Sequence, residues 1–101
     1  MNIVISENER KIVKDVLSNV LADDVKVYVF GSRVKGTLKE YADLDLALQG
    51  RELLPQPILD TLNIKFEESL LPYKVDVIDL NNIDTDFYNT IKQDLTLFLY
   101  D

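Results

Sequence analysis

The sequence predicts an α/β (α+β) domain, a small mixed β-sheet flanked by helices. Two observations carry that expectation. The spacing of apolar residues changes along the chain, from a period of about 3.6 in Ile12, Val13, Val16, Leu17, Val20 and Leu21 to strict alternation in Leu44, Leu46 and Leu48. Helical and strand-like stretches also succeed one another as helix, strand, short helix, strand, helix, strand, helix, the order expected when helices layer onto a mixed sheet. At 101 residues the chain has room for one core of ordinary size, so 1–101 reads as one domain.

Each element has a local cause. Ser6 and Glu9 have the spacing of a capping box, and the apolar stripe behind them predicts a helix from about residue 7 to about residue 22. Asp23-Asp24 ends it, and Val25 to Phe30, β-branched and aromatic, predicts a strand that runs straight into Gly31-Ser32. Val34 and Leu38 fall at helical spacing, so Arg33 to Tyr41 reads as a short helix with a looser end. Asp43 to Gln49 alternates strictly: Leu44, Leu46 and Leu48 face one way, to sit on a helical layer, and Asp43, Asp45 and Ala47 face the other.

Pro55-Gln56-Pro57 marks a loop that opens a helix, whose face is Ile58, Leu59, Leu62, Phe66, Ser69 and Leu70 and which Pro72 stops. Lys74 to Leu80 predicts a third strand, with Asp76 on the opposite face from Val75 and Val77. Asp84-Thr85 caps a last helix with Phe87, Tyr88, Ile91 and Leu95 on its buried stripe. Residues 95–100 fit a helix end and a short strand equally well.

Composition narrows the chemistry. There are no cysteines and no histidines, which removes disulfides, thiolate zinc sites and every mechanism that needs an imidazole. Carboxylates, Lys, Arg, Tyr, Ser and a hard cation remain. A net charge of −7 works against direct binding to nucleic acid and suits a basic protein partner or bound divalent metal, although many acidic proteins are simply soluble. The N-terminal stretch is too short and too soon charged for a signal peptide, and no apolar run reaches bilayer length, so no membrane association is expected and the protein reads as cytoplasmic.

The chemistry concentrates in one constellation. A strand delivered into Gly31-Ser32 presents backbone N–H groups and a hydroxyl to a phosphate at a helix start. Asp43 and Asp45, two apart on a strand, share a face, and Asp76 lies on a later strand; if those strands are neighbours, the three carboxylates converge. Like charges that close repel strongly unless cations lie between them, and two magnesium ions about 4 Å apart would also clamp a triphosphate. Read singly, Asp43 and Asp45 are equally an exposed strand face and Gly31-Ser32 an ordinary turn. Together they are sharper: Gly-Ser, ten residues, then Asp-x-Asp arises by chance on the order of once in a thousand chains of this size.

Phe30-Gly31-Ser32-Arg33, then Asp43-Leu44-Asp45, then Val75-Asp76-Val77 resembles the nucleotidyltransferases of the polymerase-beta superfamily. Over nearly its whole length the chain resembles the minimal, MntA-type members, small prokaryotic proteins encoded beside HEPN-domain (HepT-like) toxins. The resemblance implies a polymerase-beta-like fold and an antitoxin that transfers AMP from ATP to a tyrosine of the toxin, an RNase. It implies that Gly31 and Ser32 hold the triphosphate, that Asp43 and Asp45 bind Mg2+, and that Asp76 binds the catalytic metal and helps deprotonate the attacking hydroxyl. Ala42 departs from the serine that many relatives place before the first Asp.

Arg33, Lys35 and Lys39 are candidates for further phosphate contacts, with Arg33 nearest the motif, though solvated side chains are commoner in such positions. Tyr28 and Tyr41 are candidates for stacking on a base, with core packing the commoner role. Two other functions fit the same residues: a non-catalytic antitoxin that neutralises its partner by binding alone, and a nucleotidyltransferase with a small-molecule acceptor such as an aminoglycoside. An RNA end as acceptor is disfavoured by the charge.

Overall fold

The computed structural model describes residues 2–36 and 41–100. Helix α1 spans Glu7–Val20, strand β1 Lys26–Phe30, helix α2 Ser32–Lys35, strand β2 Leu44–Gln49, helix α3 Gln56–Glu68, strand β3 Val75–Asp79, helix α4 Thr85–Ile91 and strand β4 Thr96–Leu97, with a 3-10 turn at Leu80–Asn82. The mixed α/β architecture is the one the sequence predicts. Leu38 and Lys39, at the loose end of the expected short helix, lie outside the described residues.

The sheet runs β3-β2-β1-β4. β1 pairs antiparallel with β2 and with β4, while β2 and β3 run parallel, joined by the α3 crossover. Of residues 95–100, ambiguous in sequence, Thr96–Leu97 form β4: Tyr28 faces Leu97, and the Phe98 N–H donates to Val27 O at 2.8 Å. Phe98, just past that pairing, is almost completely buried in the main core.

Alternation in β2 builds the two sides of the sheet. Leu44, Leu46 and Leu48 are fully buried with Val27 and Val29 against Val13 and Leu17 of α1 and Leu62 and Phe66 of α3. Each fully buried leucine of this kind contributes about 2 kcal/mol. The opposite face carries a smaller cluster, Phe30, Ala47 and Ile91, edged by Tyr28, Ile78, Leu80, Ile83 and Leu95.

The capping box of α1 forms as its spacing requires: Glu9 N–H donates to Ser6 Oγ at 3.1 Å and Ser6 N–H to Glu9 Oε1 at 3.3 Å. Asp84 caps α4, accepting from Phe87 N–H at 2.7 Å. Two expectations fail. Of the expected α4 stripe Ile91 is buried, whereas Phe87 and Tyr88 stay about two-fifths exposed, because α4 covers only the margin of the small second cluster. Leu70 is 90% exposed, because α3 stops at Glu68, where the Ser69 hydroxyl donates to Phe66 O, and the chain turns off the helical face before reaching it.

Candidate active site

β1 ends by driving the chain into Gly31, whose φ of 80° and ψ of −153° exclude ordinary side chains. The position is doubly restricted, since a Cβ there would collide with Oδ2 of Asp45. Glycine therefore lets the strand-to-helix bend lie directly on that carboxylate. Ser32 opens α2, whose Val34 and Lys35 N–H groups return to Gly31 O at 3.0 Å. The Ser32 hydroxyl makes no hydrogen bond among the described residues, and the first N–H groups of a helix have no intrahelical partner.

Asp45 sits at the centre. It lies opposite Phe30 in the β1–β2 register and opposite Asp76 in the β2–β3 register. Burial pushes its carboxyl up from 3.8 to about 6, with the negative charges of Asp76 and then Asp43 adding to the rise. Asp43 stands just ahead of β2 and is exposed. Asp76 is half-exposed and pairs with Lys74, Nζ to Oδ1 at 3.2 Å. Asp45 thus feels the charge of both other acids at one end of one sheet face. Among the described residues, no three acids are drawn together tightly enough to hold an ion as they stand.

Arg33 is not the solvated side chain that is commoner in such positions. It is 7% exposed, and all three of its guanidinium nitrogens donate to backbone carbonyls. Nε and Nη2 both donate to Ala42 O, at 3.0 and 2.8 Å, and Nη1 donates to Val4 O at 2.9 Å. Its carbon lies 3.7 Å from the centre of the Tyr73 ring. Burial pushes the Tyr73 hydroxyl up to about 12, opposed by the Arg33 charge and reinforced by Glu9, whose Oε1 accepts from that hydroxyl at 3.1 Å.

Lys35 is held by Asp94 at 3.3 Å. Tyr28 is half-buried on the acid-bearing face, at the edge of the second cluster, and its hydroxyl reaches Gln49 at 3.5 Å. Tyr41 is 63% exposed, so it is not a core residue, and its φ of 59° places it in the left-handed region two residues before Asp43. Sequence reasoning also passed over Asp79. It is 5% exposed, accepts from Leu54 N–H at 2.8 Å and Asn81 N–H at 2.9 Å, and so ties the loop after β2 to the end of β3. Its signal was the Asp79-Leu80-Asn81 spacing of a side chain capping its own turn.

Comparison with known proteins gives the class of protein to which this glycine-serine bend on an acidic strand belongs. Residues 9–98 match the family model described as nucleotidyltransferase domain, and the chain belongs to that family, as an enzyme of the MntA type. It is 43% identical over 89 residues to the probable protein adenylyltransferase MntA of Haemophilus influenzae, covering 88% of this chain and 77% of that protein. Among solved structures, a toxin–antitoxin crystal structure with AMP-PNP superposes with a TM-score of 0.73 at 20% identity, covering 91% of this chain and 73% of that one. A tri-AMPylated Shewanella oneidensis HEPN toxin in complex with its MNT antitoxin gives a TM-score of 0.62 at 19% identity, covering 91% and 73%. At these identities the structures speak for the fold.

Proposed function

We propose that this protein is a Mg2+-dependent adenylyltransferase antitoxin that transfers AMP from ATP to a tyrosine hydroxyl of a HEPN-domain RNase toxin. The observation that carries the reading is the pairing of Asp45 with Asp76 across β2 and β3, directly under Gly31. The relatives support the acceptor: the Haemophilus protein is named as a protein adenylyltransferase, and the Shewanella structure is that of an AMPylated HEPN toxin with its antitoxin.

The donor set fits a hard cation, being all carboxylate oxygen, with the Asp45 carboxylate disfavoured first by burial and then by the charges of Asp76 and Asp43. Asp43, Asp45 and Asp76 would hold it, and when bound it would supply positive charge to the phosphates and to the departing pyrophosphate. Ser32 and the opening N–H groups of α2 orient the triphosphate. Asp76 takes the proton of the attacking tyrosine, an ordinary phenol with a pKa of about 10 that needs a base in position. The phenolic oxygen bonds to the α-phosphorus as the bond to the bridging oxygen breaks, and pyrophosphate leaves with that electron pair.

The acidic surface, a net −7, suits a basic partner held in a hetero-oligomer with this chain. No helix among the described residues is long and apolar enough to cross a membrane, and the reading puts the pair in the cytoplasm, acting as one catalytic domain that relies on its partner to bring the acceptor.

The test is intact-mass analysis of the partner toxin after incubation with this protein, ATP and Mg2+. Addition of AMP to a toxin tyrosine, abolished by Asp45→Asn, is the expected result. An unmodified toxin that is nevertheless neutralised would replace transfer with inhibition by binding. AMP found on a small-molecule acceptor instead would change the substrate class.

A further inference from the structure

We propose that Lys74 is the resident counter-ion of the acid cluster, holding Asp76 until a divalent cation displaces it. The inference rests on the metal-binding reading of Asp43, Asp45 and Asp76 given above. Lys74 immediately precedes β3 and Asp76 is two residues on in extended backbone, so their side chains leave on one side, and Nζ stands 3.2 Å from Oδ1. The backbone beneath is pinned: Lys74 O accepts from Leu44 N–H at 2.9 Å, and Leu44 is the residue between Asp43 and Asp45. Lys74 thus belongs to the same joint between β2 and β3 that assembles the acids.

The other nearby cations are spoken for, Arg33 by Ala42, Val4 and Tyr73 and Lys35 by Asp94. Among the described residues, Lys74 is therefore the cation paired with an acid of the cluster. Its side chain is 72% exposed, and Asp76 is 42% exposed, which makes the pair weak and easily exchanged. A divalent ion brings twice the charge to a point shared by three carboxylates, while the released ammonium regains its water at little cost. Cation binding is then an exchange in which Lys74 leaves as the ion arrives.

The experiment uses Mn2+ as the probe, titrated against the whole protein and followed by the free-ion EPR signal. In parallel, amine acylation with mass-spectrometric readout reports how accessible the Lys74 ammonium is with and without Mn2+. Lys74→Gln is expected to tighten Mn2+ binding about three- to tenfold, the effect of removing one competing charge at near-contact range. Lys11→Gln serves as control, since Lys11 is exposed on α1, which packs against the leucine face of the sheet. In the wild type, Mn2+ should raise acylation at Lys74 relative to Lys11. Equal affinity in Lys74→Gln and wild type, or Lys74 acylation unmoved by Mn2+, would overturn the counter-ion role and leave the metal reading standing. No saturable Mn2+ binding in the wild type, or binding that Asp45→Asn leaves untouched, would bring down the metal reading itself.

Discussion

The Arg33 guanidinium lies over the Tyr73 ring, with Cζ 3.7 Å from the ring centre, and the contact ties together the two stretches that precede the acids. Ala42, whose carbonyl takes two of the Arg33 donors, immediately precedes Asp43, and Tyr73 lies three residues before Asp76. Through the Tyr73 hydroxyl the same network reaches Glu9 and the cap of α1. Arg33→Lys keeps the charge but loses the planar fork and the stacking, and should destabilise by about 2 kcal/mol. Arg33→Ala, which leaves the Ala42 and Val4 carbonyls without their donor, should cost about 3 kcal/mol. Tyr73→Phe loses one hydrogen bond and should cost about 1 kcal/mol. Urea unfolding of the three variants checks the order, and a harmless Arg33→Lys would refute the fastening role.

Gly31 should tolerate no side chain. In Gly31→Ala the positive φ costs about 1–2 kcal/mol, and the new Cβ meets the Asp45 carboxylate. The second cost is specific to Asp45. The substitution should therefore be less damaging in an Asp45→Ala background, with a coupling of about 1 kcal/mol or more in a double-mutant cycle. Strict additivity would mean that Gly31 is needed for its backbone conformation alone.

Asp45 should destabilise the metal-free protein at neutral pH. Its carboxyl is raised from 3.8 to about 6, so between those values the folded state holds the proton more tightly than the unfolded chain. Stability from this group is thus full below about pH 4, falls as pH rises through about 6, and stays lower above. Because the side chain is partly solvated, the loss is discounted to about 1 kcal/mol. In EDTA, Asp45→Asn should be more stable than wild type by that amount at pH 7, and equal to it near pH 4. Denaturant midpoints at the two pH values test this, and a variant weaker than wild type at pH 7 would contradict it.

What the sequence disclosed follows from where each signal is stored. The alternation of Leu44, Leu46 and Leu48 with Asp43 and Asp45 is local, so the two faces of β2 could be assigned before any coordinates. The Ser6–Glu9 box and the Asp84 cap are equally local, and both form. Arg33 was illegible because its partners, Val4, Ala42 and Tyr73, come from three separate stretches, and no spacing rule links them. The α4 stripe misled because periodicity reports that a face is apolar, while burial of Phe87 and Tyr88 depends on how much sheet lies beneath. Residues 95–100 lacked the length to declare a period, and only pairing with β1 decided them.

Asp79 offers a contrast within the same strand. It is an acid three residues beyond Asp76, yet its two oxygens are taken by the N–H groups of Leu54 and Asn81, and it is almost fully buried. Asn81 adds to the same join through Nδ2, which donates to Gly50 O and Glu52 O at 3.0 and 3.1 Å. The whole arrangement fixes the loop from β2 toward α3 and lies at the opposite end of β3 from the acid pair, since Asp79 faces Leu48 while Asp76 faces Asp45. Asp79→Asn keeps one acceptor and loses the charge, so it should cost about 1–2 kcal/mol, and Asp79→Ala about 3 kcal/mol. Mn2+ affinity should hold in both, provided the measurements are made well below the unfolding midpoint. Loss of Mn2+ binding in folded Asp79→Asn would mean that the far end of β3 governs the acid cluster, which the register gives no reason to expect.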